Sequence, residues 1–177
     1  MTSQNITPTN INLIYSDKFE FILNRTPNVI YRCYSIDFPN VSLDQKVFST
    51  PHGRFHVGGK ILEHGDLGIN FRIDEDFRNY QEIKDWMSGI AGEVDPVKYR
   101  KLVDVPDGTI SAEHKIYSDG VLMTLTNASR YNVAFNFVNL FPISLSPPVF
   151  DQTSAQETMN VNATFSFDYF EIIRKTS

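Results

Sequence analysis

Residues 66–90, DLGINFRIDEDFRNYQEIKDWMSGI, decide the fold. Leu67, Ile69, Phe71 and Ile73 fall on one side of an alternating run, with Asp66, Gly68, Asn70 and Arg72 on the other. A period of two marks a half-buried β-strand. At Asp74 the period changes. Asp74, Glu75 and Asp76 offer N-cap oxygens and negative charge at the positive end of a helix dipole. Tyr80, Ile83, Trp86, Met87 and Ile90 then recur at steps of three and four. At about 100° per residue they form one apolar stripe, while Arg78, Glu82 and Asp85 face away. Gly89 and Gly92 supply the stop. The spacing predicts a helix over 77–90, the only convincing long helix in the sequence. A lone amphipathic helix among strands must lie on a sheet, so the flanking sequence has to supply one.

Upstream, residues 1–17 are polar and carry Pro8, which reads as an arm ordered only by a partner. Phe19, Phe21 and Leu23 make a short strand, and residues 25–28, RTPN, a turn. Residues 29–38, VIYRCYSIDF, read as one long strand stopped by Pro39. Cys33 sits inside it as a structural thiol, with no paired His or basic cluster beside it. Residues 39–65 have little hydrophobic mass and carry Gly53, Gly58, Gly59 and Gly65. Lys46 to Ser49 and Arg54 to Val57 can pair as a protruding hairpin over 39–60, marginal in water by itself. Val47, Phe48, Ser49, Arg54 and Phe55 are therefore candidates for contact with other subunits.

Downstream, residues 93–119 are charged and broken by Pro96 and Pro106, an excursion with at most one short strand. Strands resume at 120–126 and at 132–141, where Val133, Phe135 and Phe137 share a face. Pro142, Pro147 and Pro148 mark a rigid crossing. The closing strand runs from Met159 to Tyr169. Its odd positions are apolar, and Asn160, Asn162, Thr164, Ser166 and Asp168 make the other face small, polar and almost uncharged.

The totals fit one domain over 1–177 with a real core. Hydrophobic residues are 41% and charged residues 21%, as in folded soluble chains. No apolar run approaches the ~20 residues of a membrane helix, and the start lacks the pattern of a signal peptide. One cysteine allows no internal disulfide. A net charge of −5 argues against tight binding to nucleic-acid phosphates.

The residues show no active site, and no cofactor is expected. The acidic triplet 74–76 points its carboxylates in different directions, so capping outweighs a cation site. His52 and His56 are four apart in a glycine-rich loop rather than on a helix, and nothing completes a metal set with them and His64. Neither a phosphate-loop pattern nor a serine elbow is present.

Four passages in order resemble the inner tail-tube proteins of contractile-tailed bacteriophages. They are YRCYSIDFP (31–39), HVGGKILEHGDLGINFRIDED (56–76), DFRNYQEIKDWMSGIA (76–91), and NFVNLFPISLSPPVFD (136–151) followed by NVNATFSFDYFEI (160–172). The 39–55 arm and the 93–119 stretch carry no such agreement. The resemblance implies a mainly β fold: an antiparallel β-barrel or sandwich with one flanking helix and a protruding hairpin arm. It is related in fold to the type VI secretion inner-tube protein. It implies a homohexamer whose rings stack into a tube with a continuous inner barrel, leaving no free sheet edges. It also implies sheath and baseplate or terminator proteins as partners, a place in the virion tail after assembly in the host cytoplasm, and DNA passing through the lumen. The polar face of 160–168 is then a channel wall, whose scarcity of Lys and Arg lets DNA slide. Two other readings stand: an initiator or terminator at a tube end, and a β-sandwich carbohydrate-binding module with exposed aromatic platforms.

Overall fold

In the computed structural model, residues 13–23, 25–91, 116–126, 130–151 and 158–174 are described. In chain order the elements are β1 (Phe19–Leu23), α1 (Pro27–Tyr31), β2 (Cys33–Asp37), β3 (Val41–Thr50), β4 (Gly53–His64), β5 (Leu67–Arg72), α2 (Arg78–Ala91), β6 (Ser118–Leu125), β7 (Tyr131–Leu145), β8 (Asn160–Ser166) and β9 (Tyr169–Arg174). The alternation in β5 does what its spacing predicts: Leu67, Ile69 and Phe71 are fully buried, while Asn70 is half-buried and Arg72 exposed. β8 lies antiparallel beside it and matches its pattern, so Leu67 meets Phe165, Ile69 meets Ala163 and Phe71 meets Val161. Cross-strand partners share a face, and this face is core.

Among the described residues, seven strands join in the order β1–β6–β7–β8–β5–β2, with β9 also on β7, and every pairing is antiparallel. β7 is the shared member. Its first part pairs with β6 and β9, and its last part, from Phe141, pairs with β8. The bend falls at Asn139, which is left-handed at φ 58° beside a slip in the β6 register. Asn tolerates that conformation better than most residues. Asp119 Oδ1 accepts its backbone N–H at 3.3 Å, and its Nδ2 donates to Asp168 Oδ2 at 2.6 Å. The bend folds the strands into two half-sheets over one core that holds Phe21, Leu122, Phe137, Phe71 and Phe165 together with Ile83 and Trp86 of α2. The result is a sandwich, not a closed barrel.

The predicted helix is present one residue later, as Arg78–Ala91, with Ile83 and Trp86 buried and Tyr80, Met87 and Ile90 half-buried. Its start is not capped by the acidic triplet. Asn79, 0% exposed, donates to the Arg72 carbonyl at 2.7 Å and accepts from the Asp74 N–H at 3.2 Å, locking the strand to the helix. Asp74 pairs with Arg32 and Asp76 with Arg78 instead. Of the side chains expected to face away, Arg78 is exposed, whereas Glu82 and Asp85 are half-buried. Gly89 does not stop the helix but lies buried inside it.

Other boundaries also moved. Residues 27–31 are a short helix rather than the end of a turn and the start of a strand. Pro27 presets φ for a first helical turn, and Val29, 1% exposed, is carried into the core. A second helix therefore joins the one expected. β7 runs through Pro142 to Leu145, because a proline fits at a register slip. The closing strand breaks at 167–168 into β8 and β9, both following the bend of β7. The expected arm lies mostly outside the described residues, as does most of the 93–119 excursion.

Candidate assembly interface

The hairpin of β3 and β4 stands off the sandwich. Its strands pair from Val41 with His64 out to Thr50 with Gly53, and almost every residue is exposed. Twelve residues in β4 give a reach of roughly 40 Å at ~3.4 Å per residue. The paired segments are longer than the expected 46–49 and 54–57. Val47 faces His56, Phe48 faces Phe55 and Ser49 faces Arg54, so the five arm candidates sit together in its outer half. The register slips at Asp44, where a Cβ on Gly59 would come within 2.4 Å of the Asp44 carbonyl oxygen. Only glycine fits that approach.

The hairpin base rests on an aromatic seat. Phe38 packs edge-on to Phe135 and Phe170, at ring distances of 5.0 and 5.3 Å, and His64 lies 5.4 Å from Phe170. Beyond that seat, Val41, Leu43, Val47, Phe48, Phe55, Val57, Ile61 and Leu62 are 48 to 62% exposed. Covering their exposed parts yields about 1 kcal/mol each, on the order of 8 kcal/mol per hairpin. A strand pair of this kind acquires stability only when something covers it.

The second feature is the polar side of the half-sheet β2–β5–β8–β7. Asn160 is exposed, and Asn162, Thr164 and Ser166 are half-buried. Asp168, expected in the same row, lies beyond β8 at the bend, tied to Asn139. The row is wider than one strand shows. Thr164 Oγ1 donates to Asn162 Oδ1 at 3.3 Å, Asn162 Nδ2 to Asn70 Oδ1 at 2.9 Å, and Asn70 Nδ2 to Asp37 Oδ2 at 3.1 Å. This ladder crosses β8, β5 and β2. It ties the amides of Asn162 and Asn70 to each other and to Asp37 across the polar surface. Asn70 was visible as part of a polar side of its own strand. Its union with Asn162 was not, because sequence does not give the register between strands 92 residues apart. Arg72 lies over the Tyr34 ring at 5.7 Å, and Asp37 leans over Gly68, which leaves room for it.

Both ends of this half-sheet are open among the described residues: β2 on one side and Phe141–Leu145 of β7 on the other. The half-sheet of β1, β6, β7 and β9 ends in β1 and β9, and Tyr169, Ile172 and Ile173 of β9 are exposed. Unpaired edges with apolar side chains invite another chain.

Chains of contractile injection systems are similar over nearly the whole length. One from the anti-feeding prophage tube-terminating cap covers 97% of this chain and 100% of itself, with a TM-score of 0.63 at 17% identity. One from the extended sheath–tube complex of an extracellular contractile injection system, PVC, covers 92% and 93%, at 0.61 and 15%. The chain has the fold of these contractile-injection-system subunits. A chain of the 6-fold-symmetrised anti-feeding prophage baseplate matches as well, with a TM-score of 0.62 at 10% identity over 92% of this chain and 97% of that one. No protein-family model and no curated protein matches the sequence.

Within this injection-system fold the titratable groups play structural parts. Burial pushes the Cys33 thiol up to about 11, against a weaker pull from its hydrogen bond to the Ser35 carbonyl. It stays a neutral thiol near neutrality. Burial also lowers the pKa of Arg25, whose guanidinium lies over Trp86 at 5.1 Å. Tyr131 is raised by its hydrogen bond to Glu20. His52, His56 and His64 are spread along the hairpin. The last two are eight residues apart on β4, ~27 Å at strand spacing.

Proposed function

We propose that this chain is a structural, non-catalytic subunit of the inner tube of a contractile tail. Six copies close into a ring through open sheet edges, and the rings stack into a hollow conduit. Asn160, Asn162, Thr164 and Ser166 line the lumen together with Asn70 and Asp37, and DNA slides past without specific binding. Sheath, baseplate and terminator proteins complete a virion tail assembled in the host cytoplasm. The observation that carries this reading is the fold likeness to sheath–tube and cap chains over nearly the whole chain. The free edges and the long uncovered hairpin support it physically, since ring closure and stacking would cover both.

A role as terminator at a tube end is the second reading, favoured by the full-length match to a chain of the cap structure. Electron microscopy of the purified protein separates the two. Tubes of many rings support the repeated subunit, single rings the terminator, and monomers at high concentration overturn both. Deleting Ser49 to His56 should leave a folded subunit that does not polymerise.

A further inference from the structure

At the mouth of the sandwich, between the edge strands β1 and β2, which do not pair with each other, lies a groove of about 440 Å³. Phe19, Ile30, Tyr31 and Tyr34 give it an apolar and aromatic lining, and Asp17 and Glu20 add two carboxylates. Lys18, between them in sequence, is not part of the lining. Tyr31 is 88% exposed. Glu20 accepts a hydrogen bond from the Tyr131 hydroxyl at 2.8 Å, and Asp17 has no ion pair among the described residues.

The outer hairpin has the opposite character. Residues 45–60, QKVFSTPHGRFHVGGK, contain Lys46, Arg54 and Lys60 and no acidic residue. None of the three bases has an ion-pair partner among the described residues. Around them stand the exposed Val47, Phe48, Phe55 and Val57. The two features also lie at opposite ends of one strand. Cys33 and Tyr34, which begin β2, line the groove, and the hairpin leaves just after Asp37, where β2 ends. A projection at one end and a complementary recess at the other make a heterologous, head-to-tail contact, which propagates instead of closing.

We propose that the acidic–aromatic groove between β1 and β2 is the receptor for the basic–aromatic hairpin of a second copy in the next ring. The inference rests on the tube reading and names the surface that would hold stacked rings together. Lys46 and Arg54 meet Asp17 and Glu20, and the Phe48–Phe55 pair lies against Tyr31 and Tyr34. Charge complementarity sets partner and register, and burial of the aromatic pair supplies most of the affinity.

The test is a charge swap scored by electron microscopy and sedimentation. One variant carries Asp17→Lys and Glu20→Lys, the other Lys46→Glu and Arg54→Glu, all at exposed positions. Each alone should form rings but raise the concentration needed for tube growth by ~10-fold or more. Mixing the two should restore tubes, because each hairpin then finds an opposite groove. Circular dichroism checks that each variant is folded; if the groove pair fails that check, Tyr31→Ala with the hairpin variant keeps the test open. Wild-type tubes together with normal tubes from either hairpin or groove variant, or mixtures that fail to grow, would overturn the proposal and spare the tube reading. Tubes blocked by the groove variant alone would mean that the groove holds another segment, such as residues 1–12 of its own chain, and would also overturn it. Wild-type protein that never forms rings or tubes would overturn the tube reading, and this inference with it.

Discussion

Replacing Trp86 with alanine should remove the pin between α2 and the sheet. Trp86 is 2% exposed, its ring lies 6.0 Å from Phe165, and the Arg25 guanidinium sits 5.1 Å from its centroid. Its Nε1 donates to the Ile116 carbonyl at 2.9 Å, and Arg25 Nη1 donates to the same oxygen at 3.3 Å. Truncating a large buried aromatic costs about 3–5 kcal/mol. The lost hydrogen bond adds about 1 kcal/mol, softened because Arg25 still reaches the carbonyl. The lost cation–π contact adds about 0.5–1 kcal/mol. The terms overlap in one contact set, so a total near 4–5 kcal/mol is expected, a large share of the ~5–15 kcal/mol of a typical domain. Urea unfolding of the unassembled subunit measures it, followed by circular dichroism because Trp86 is the one tryptophan. Trp86→Phe should recover more than half of the loss. A Trp86→Ala loss below about 2 kcal/mol, with an unchanged urea dependence, would refute the placing of this helix in the core.

Three further outcomes are expected. Asn79→Ala should cost about 2–3 kcal/mol in the same unfolding experiment, since it strands the Arg72 carbonyl and the Asp74 N–H at a buried joint; Asn79→Asp should be no better, because it buries a carboxylate. Cys33 holds its proton up to about pH 11 when folded, against 9.0 ordinarily, so the unfolded chain ionises first as pH rises. Its contribution to stability should be level below about pH 9 and fall as pH rises toward 11, a slope that Cys33→Ala removes; thiol labelling near pH 8 should be slow until urea unfolds the chain. Asn162→Lys with Thr164→Lys should leave tubes intact but slow DNA passage, most strongly at low salt, whereas Thr164→Ser should change passage little; unaltered passage through the doubly charged tube at low salt would place this face away from the lumen.

What the sequence alone determined is local and periodic. The strand-to-helix passage at 66–90, the paired hairpin and the two-faced closing strand are all legible, because each side chain's position within one element follows from a repeat of two or 3.6. The acidic triplet pointed to a helix start, yet the side chain that ties that start to the strand is Asn79, whose partner Arg72 is brought in range only when the chain reverses. Residues 25–28 read as a turn and 29–31 as strand by content, and proline geometry and the burial of Val29 made 27–31 a helix. The bend at Asn139 depends on Asp119 and Asp168, 20 and 29 residues away. The ladder from Thr164 to Asp37 needs three strands in register, and the groove needs β1 and β2 to end the sheet as edge strands that do not pair with each other. Such features are set by contacts between distant segments, whose loop-closure entropy and register no single stretch of sequence encodes.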